Sequence, residues 1–346
     1  MTLITKTPLE LGYCMPAEWE KHEATWLSWP KNPLTFPESM LPAVEKAYCD
    51  IVKALSPGEK VKILVDNPEM EEKVLKKLIN ADASMGNVRF LKIKSADVWI
   101  RDYGPTFLLN RKTQQKAVVK WIFNAWGNKY DDLLYDNEAG EQVVKTESIP
   151  VFRPGIVLEG GSIDVNGAGC VLTTEQCLLN KNRNPQLSRE QIEGYLRGYL
   201  GVEKTIWLKS GIEGDDTDGH IDDFARFISR RSVLCAFEEG NDNNSLVLKK
   251  NLEILEKTGF EITKLPMPKP LIDPEEGRRL PASYANFYLG NKVVLLPSFG
   301  EERDKEAASI LRGFFPGRET VSINSRELVY GYGGLHCITQ QEPKAK

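Results

Sequence analysis

One pattern recurs along this chain and limits the folds open to it: two short apolar strands around a tight turn, followed by an amphipathic helix. Ser162-Ile-Asp-Val-Asn-Gly-Ala-Gly-Cys-Val-Leu-Thr173 reads as two strands joined across an Asn-Gly turn. Phe224 to Phe237 and Tyr284 to Pro297 repeat it, and another hairpin turns near Asn110 to Gln115. The spacing is roughly 60 residues, outside the short solenoid periods, so 346 residues hold about five such units. Helices are expected at Ser188 to Leu200, at about 244 to 258 and at about 302 to 314. The first opens on a capping box, Ser188 with Gln191, and stops at Gly201; the second stops at Gly259.

Upstream, Val44, Ala47, Tyr48, Ile51, Val52 and Leu55 stand at helical spacing between Pro42 and Ser56. Lys60 to Asp66 reads as a strand, Pro68 to Ala81 as a helix, and Val88 to Lys94 alternates like a strand. The Trp- and Pro-rich residues 13 to 37 suit a loop with one short apolar strand, and Asp131 to Glu147 reads as an acidic loop. No linker interrupts the pattern. The expectation is therefore one α/β domain over 1–346, built of ββαβ units around an axis.

Strand ends meeting at such an axis would share one pocket, and four places carry chemistry there: Trp99-Ile-Arg-Asp102, Leu158-Glu159-Gly-Gly-Ser162, His220-Ile-Asp222 and Gly331-Tyr-Gly-Gly-Leu-His-Cys337. The third is entered through an acidic, glycine-punctuated turn from Glu213 and reads as a strand, which would put His220 and Asp222 on one face. Asp102 sits in a turn that interrupts another apolar strand, and Cys337 in a further strand, from which His336 would point away as a structural residue. Arg101 should likewise alternate away from Asp102. The pocket would then hold three carboxylates with no obvious Lys or Arg partner, one imidazole and one thiol. Such an anionic site matches a guanidinium, whose donors fit carboxylate forks. A thiolate can attack the poorly electrophilic guanidinium carbon, imidazole can supply and remove protons, and Gly333-Gly334 lets backbone approach the ligand.

Competing roles remain for each residue: a turn acid for Glu159, a turn cap for Asp102, a buried core thiol for Cys337. Cys14, Cys49, Cys170, Cys177 and Cys235 have no acid-base partner nearby in sequence, and His22 suits packing or surface. Zinc on His220, Asp222 and Cys337 is disfavoured by the mixed donors and the lack of a second histidine in this motif. The net charge of −4 gives no footprint for nucleic acid. No run reaches the length of a membrane span, Met1 to Glu10 lacks a long apolar segment, and the six cysteines form no CxxC. A reducing, cytoplasmic setting with free thiols follows.

Five stretches in order resemble the agmatine deiminase family of the guanidine-modifying superfamily, which also includes bacterial peptidyl-arginine deiminase. They are Met15-Pro-Ala-Glu-Trp-Glu with Thr25-Trp-Leu-Ser-Trp-Pro30, Asp97-Val-Trp-Ile-Arg-Asp-Tyr-Gly-Pro, Leu158-Glu-Gly-Gly-Ser, Thr217-Asp-Gly-His-Ile-Asp and His336-Cys-Ile-Thr-Gln-Gln-Glu-Pro343. The resemblance runs from about residue 12 to 343. It implies a five-bladed α/β propeller with the site on a pseudo-fivefold axis, and hydrolysis of agmatine to N-carbamoylputrescine and ammonia on the way to putrescine. Carried over by position, Cys337 would be the nucleophile and His220 the general acid and base. Asp102 and Asp222 would hold the guanidinium, Glu159 would complete the carboxylates, and Trp99 would line the pocket. No metal or organic cofactor is implied, and members are commonly homo-oligomers, here a dimer or tetramer. Tyr332 and Leu335 depart from the family's Gly-Gly-Gly-Asn-Ile-His-Cys, and Asp218 stands where Asn is common. Rival readings are a deiminase of free or peptidyl arginine, an amidinotransferase, and a polyamine-binding protein without catalysis.

Overall fold

The computed structural model describes residues 6–345; Met1 to Thr5 of the N-terminal stretch considered above, and Lys346, lie outside the described residues. Five sheets are present among them, and all repeat one pairing: an antiparallel pair whose second strand also pairs parallel with a third. In the clearest case Ala225–Phe227 runs antiparallel to Ser232–Phe237, the helix Asn243–Glu256 crosses over, and Glu261–Pro266 returns parallel. Tyr288–Leu289, Val293–Ser298, the helix Arg303–Phe314 and Glu319–Asn324 follow the same course. So do Asp164–Val165, Cys170–Thr174, the helix Arg189–Leu200 and Lys204–Leu208. A parallel return needs a crossover element of this length, which is why every hairpin is followed by a helix.

Local chemistry sets the boundaries. Ser188 accepts from Gln191 N while the Gln191 side chain accepts from Ser188 N, and Gly201 ends the helix at φ +69°, a conformation open to glycine. The chain ends close the remaining sheet: Gln340–Pro343 pairs antiparallel with His22–Ser28, which pairs parallel with Lys60–Val65 and, beyond it, Val88–Lys92.

Two expectations need correction. The acidic stretch 131–147 contains the helix Asp136–Thr146, the crossover of the unit formed by Thr106–Asn110, Lys116–Val119 and Val151–Phe152. Its buried face is made of Ala139, Gly140, Val143 and Val144 with Asp136, so small residues replaced the usual large apolar stripe. A Cβ on Gly140 would lie 2.1 Å from the Tyr103 carbonyl oxygen, which shows how closely this helix packs beside Asp102. Second, the chemistry-bearing ends are not extended. Asp102 lies in a single helical turn, Ile100–Tyr103; Ile221–Asp223 is a 3-10 turn; and His336 and Cys337 lie in a turn before Gln340.

Candidate active site

Each unit presents a polar residue just ahead of its first strand. Asp102 precedes Thr106–Asn110, Glu159 precedes Asp164–Val165, His220 and Asp222 precede Ala225–Phe227, and Cys337 precedes Gln340–Pro343. In the remaining unit the position ahead of Tyr288–Leu289 belongs to Asn286, a neutral amide that does not stand out in sequence as an acid, histidine or cysteine does. Its Nδ2 donates to Cys337 Sγ at 3.2 Å and to Asp223 Oδ1 at 2.9 Å. The repeat itself was the signal that could have found it.

Of these residues, Asp102 and Cys337 line a cavity of about 200 Å³ together with Trp99, Trp126, Asp216 and Gly333, while Glu159, His220, Asp222 and Asn286 are buried and are not among its lining residues. Asp102, Asp132 and Asp216 are the charged groups of that lining; no Lys or Arg is among the lining residues. Gly161 explains how so many groups fit. A Cβ there would lie 2.6 Å from His220 Nδ1, 2.9 Å from Asp102 Oδ1 and 3.1 Å from Asp222 Oδ2. Its backbone N–H donates to Asp102 Oδ1 at 2.9 Å, and Trp126 Nε1 donates to Oδ2 at 2.9 Å, so both carboxylate oxygens are fixed. Gly333 lines the cavity, packed so that a Cβ would strike the Trp99 ring at 2.3 Å. Gly334 makes its close approach to the Asn286 side chain instead, where a Cβ would lie 2.4 Å from Oδ1.

Because the chain turns at 335–338, His336 and Cys337 face the same acid. His336 Nδ1 lies 2.6 Å from Asp222 Oδ2, its Nε2 lies 2.7 Å from Glu18 Oε2, and Cys337 Sγ is 3.8 Å from that Asp222 oxygen. The expectation that His336 points away is thus overturned: it bridges Asp222 to Glu18, which also accepts from Arg226 at 2.8 Å. Arg101 does turn away from the cavity, donating to the His336 carbonyl and to Gln341.

The carboxylates are less isolated than their motifs suggested. Arg183 Nε donates to Glu159 Oε1 at 2.6 Å with both side chains fully buried, and its Nη1 donates to Asp218 Oδ2 at 2.5 Å. Glu159 Oε2, Asp222 Oδ1 and both ring nitrogens of His220 are buried with no hydrogen-bond partner. Such unmet polar atoms in a site are where a ligand's groups belong. Cys177, read as lacking an acid-base partner, has its sulfur within 4.8 Å of a Glu159 oxygen and a His220 nitrogen.

Electrostatics follow from this geometry. Burial disfavours charge on His220, yet Asp102 at 3.8 Å, Cys177 and Glu159 outweigh it and lift the imidazole well above its ordinary value. Burial, reinforced by Asp222, Asp223 and Asp102, pushes the Cys337 thiol well up. Burial also raises Asp102, with Asp222 and Glu159 adding to it against His220. In Asp222 the penalty of burial is overcome, chiefly by His336, and its pKa is lowered. Both shifts favour the proton-bearing form, imidazolium at His220 and thiol at Cys337. A cation entering between the carboxylates would reverse the pressure on the thiol.

Strain collects here as well. Trp126 and Tyr332, both lining the cavity, and Asp218, beside lining Thr217, are non-glycine residues at φ +54°, +66° and +68°.

Residues 14–343 match the family model described as Porphyromonas-type peptidyl-arginine deiminase. The chain belongs to this family. It is 39% identical over 372 residues to an agmatine deiminase of Pseudomonas syringae pv. tomato, covering 99% of each chain. Among solved structures it is similar to an agmatine deiminase of Enterococcus faecalis, with TM-score 0.90, 34% identity and 99% of each chain covered. A substrate-bound Cys-to-Ser variant of the C. jejuni agmatine deiminase aligns with TM-score 0.87 and 34% identity over 96% of this chain and 97% of that one.

Proposed function

We propose that this chain is an agmatine deiminase, hydrolysing the guanidine of agmatine to the urea of N-carbamoylputrescine with release of ammonia, a step towards putrescine. The observation that carries this reading is the buried cluster of Cys337 and His220 with Asp102, Glu159 and Asp222, of which Asp102 and Cys337 open onto a cavity lined by acids and by no Lys or Arg. A guanidinium seated between Asp102 and Asp222 uses the unmet oxygens of Asp222 and Glu159. Its positive charge lowers the Cys337 pKa, so the thiol gives up its proton to solvent as substrate enters, and the proton released from the hydroxyl of the second tetrahedral adduct when the C–S bond breaks restores the balance. The thiolate attacks the guanidinium carbon. The C–N bond to an unsubstituted nitrogen then breaks, and ammonia leaves with the proton of His220. His220, now neutral, takes a proton from water as its oxygen attacks the amidino-thioether. The C–S bond breaks and the ureido product departs. Asn286 Nδ2 supports the sulfur charge at both stages.

Substrate choice rests on Asp132 and Asp216 of the cavity lining, which suit the primary ammonium of agmatine and repel the carboxylate of arginine. In this reading the five sheets are blades around a pseudo-fivefold axis, residues 1–346 form one catalytic domain, and no metal or organic cofactor takes part. A cytoplasmic homo-oligomer, dimer or tetramer, completes the proposal. No helix among the described residues is long and apolar enough to cross a membrane. The test is ammonia release from agmatine, arginine and a short arginine peptide, on wild type and Cys337→Ala. Release from agmatine, lost in the variant, is expected; release chiefly from arginine or the peptide would overturn the substrate.

A further inference from the structure

Tyr332 is a bulky residue in the left-handed region, φ +66° and ψ +25°, where glycine would be unstrained. It lines the cavity five residues before Cys337. Strain at a bulky residue persists where surrounding contacts hold it, and here they do. Arg278 Nε donates to the Tyr332 hydroxyl at 2.8 Å, and the Arg278 guanidinium lies 4.0 Å over the Tyr332 ring. The hydroxyl in turn reaches Asp273 Oδ2 at 3.3 Å. The segment 273–278 that supplies these partners is closed on itself: Asp273 N donates to the Arg278 carbonyl at 2.8 Å, and Asp273 Oδ1 accepts from Glu275 N and Glu276 N. Arg278 is not a lining residue, so it braces the ring from behind and leaves the cavity without a cation.

We propose that Tyr332, braced by Arg278, is the specificity-determining wall that restricts the cavity to guanidines on short unbranched chains and shuts out those carrying an acylated amine or a peptide backbone. This rests on the guanidine-hydrolase reading above. A tyrosine ring has only two side-chain torsions, so once its hydroxyl and face are held it is a fixed surface and not a mobile filler. A cavity of about 200 Å³ leaves little room for a second branch once a guanidinium is seated.

The test compares wild type with Tyr332→Gly, which relieves the strained backbone and so should remain folded, and with Tyr332→Phe and Arg278→Ala. The readout is the ratio of kcat/KM for agmatine to that for Nα-benzoyl-arginine amide. The ratio should fall about tenfold in Tyr332→Gly, through the KM of the bulky substrate, and partway in the other two. A fall of less than about threefold in Tyr332→Gly overturns the proposal, since a buttress without selectivity would move both substrates together. A second readout does not depend on turnover: the relative rates at which iodoacetamide and N-phenylmaleimide alkylate Cys337, followed on its peptide by mass. Tyr332→Gly should admit the bulky reagent selectively, and equal preference in both proteins overturns the wall. If wild type hydrolyses none of the guanidines, the functional reading fails while the alkylation ratio still decides the role of Tyr332.

Discussion

Glu18 is not among the residues that line the cavity, yet replacing it with Gln should be among the most damaging changes to this protein. Its carboxylate is buried, 4% exposed, and accepts from Arg226 Nη2 at 2.8 Å and from Leu289 N at 2.9 Å while holding His336 Nε2 at 2.7 Å. Arg226 is wholly buried and its Nε has no hydrogen-bond partner; besides Glu18 it meets the Phe287 carbonyl at 2.8 Å, the Phe287 ring at 4.7 Å and Asp164 at 3.6 Å, so Glu18 is the one carboxylate within hydrogen-bond distance. Removing one member of a buried ion pair costs about 3–5 kcal/mol, because the other charge stays buried and unpaired. Against a typical total of about 5–15 kcal/mol that is a large fraction. With a urea slope near the upper end, about 3 kcal/mol per molar, the unfolding midpoint at pH 7 should drop by about 1–1.7 M. The pH dependence identifies the cause. Burial alone would raise the Glu18 pKa, but Arg226, His336 and Arg101 hold it well below its ordinary 4.5. A depressed carboxyl stabilises the fold above its unfolded pKa and stops doing so as pH falls through its folded one. The gap between wild type and Glu18→Gln should therefore be full at neutral pH and shrink below about pH 4.5. Urea melts followed by circular dichroism at several pH values measure it. A midpoint shift under about 0.3 M at pH 7, or a gap unchanged in acid, would refute the reasoning.

Gly161→Ala should cut kcat at least about a hundredfold, since its Cβ would displace His220 and Asp102, and the same overpacking should cost about 1–3 kcal/mol of stability; steady-state kinetics beside a thermal melt check this. Asn286→Ala removes the donor 3.2 Å from Cys337 Sγ, and losing a charge-assisted bond of about 1.5–3 kcal/mol should lower kcat about 10- to 100-fold. The same change should move the alkaline rise of Cys337 alkylation to higher pH, because the thiolate loses support. Asp216→Asn should raise KM for agmatine at least about tenfold with a smaller effect on kcat, and should not impair any residual turnover of arginine, as a substrate panel would reveal.

The units were legible because their signals are local: the Asn-Gly turn after Val165, the Ser188–Gln191 box, the stops at Gly201 and Gly259. The helix at 136–146 escaped because its buried face is small and its sequence acidic, and only the repeat required a crossover there. In the site, Asp102, Glu159, His220, Asp222 and Cys337 stood out as reactive types at strand ends, and the fold brings them together. Their surroundings were hidden by distance along the chain. Arg183 answers Glu159 from 24 residues away, and Glu18 reaches His336 across 318. His336 was misplaced for a geometric reason: alternation holds in a strand, and 335–338 is a turn that puts neighbours on one side.

In the proposed mechanism Cys337 carries the reaction through a bond to the guanidine carbon. Acid quench of the enzyme during turnover of agmatine, followed by peptide mass analysis, addresses it directly. An amidino adduct is expected on the peptide containing Cys337, absent before substrate is added and absent in Cys337→Ala, which should release no ammonia. An adduct on another residue, or ammonia release that survives in Cys337→Ala, would contradict it.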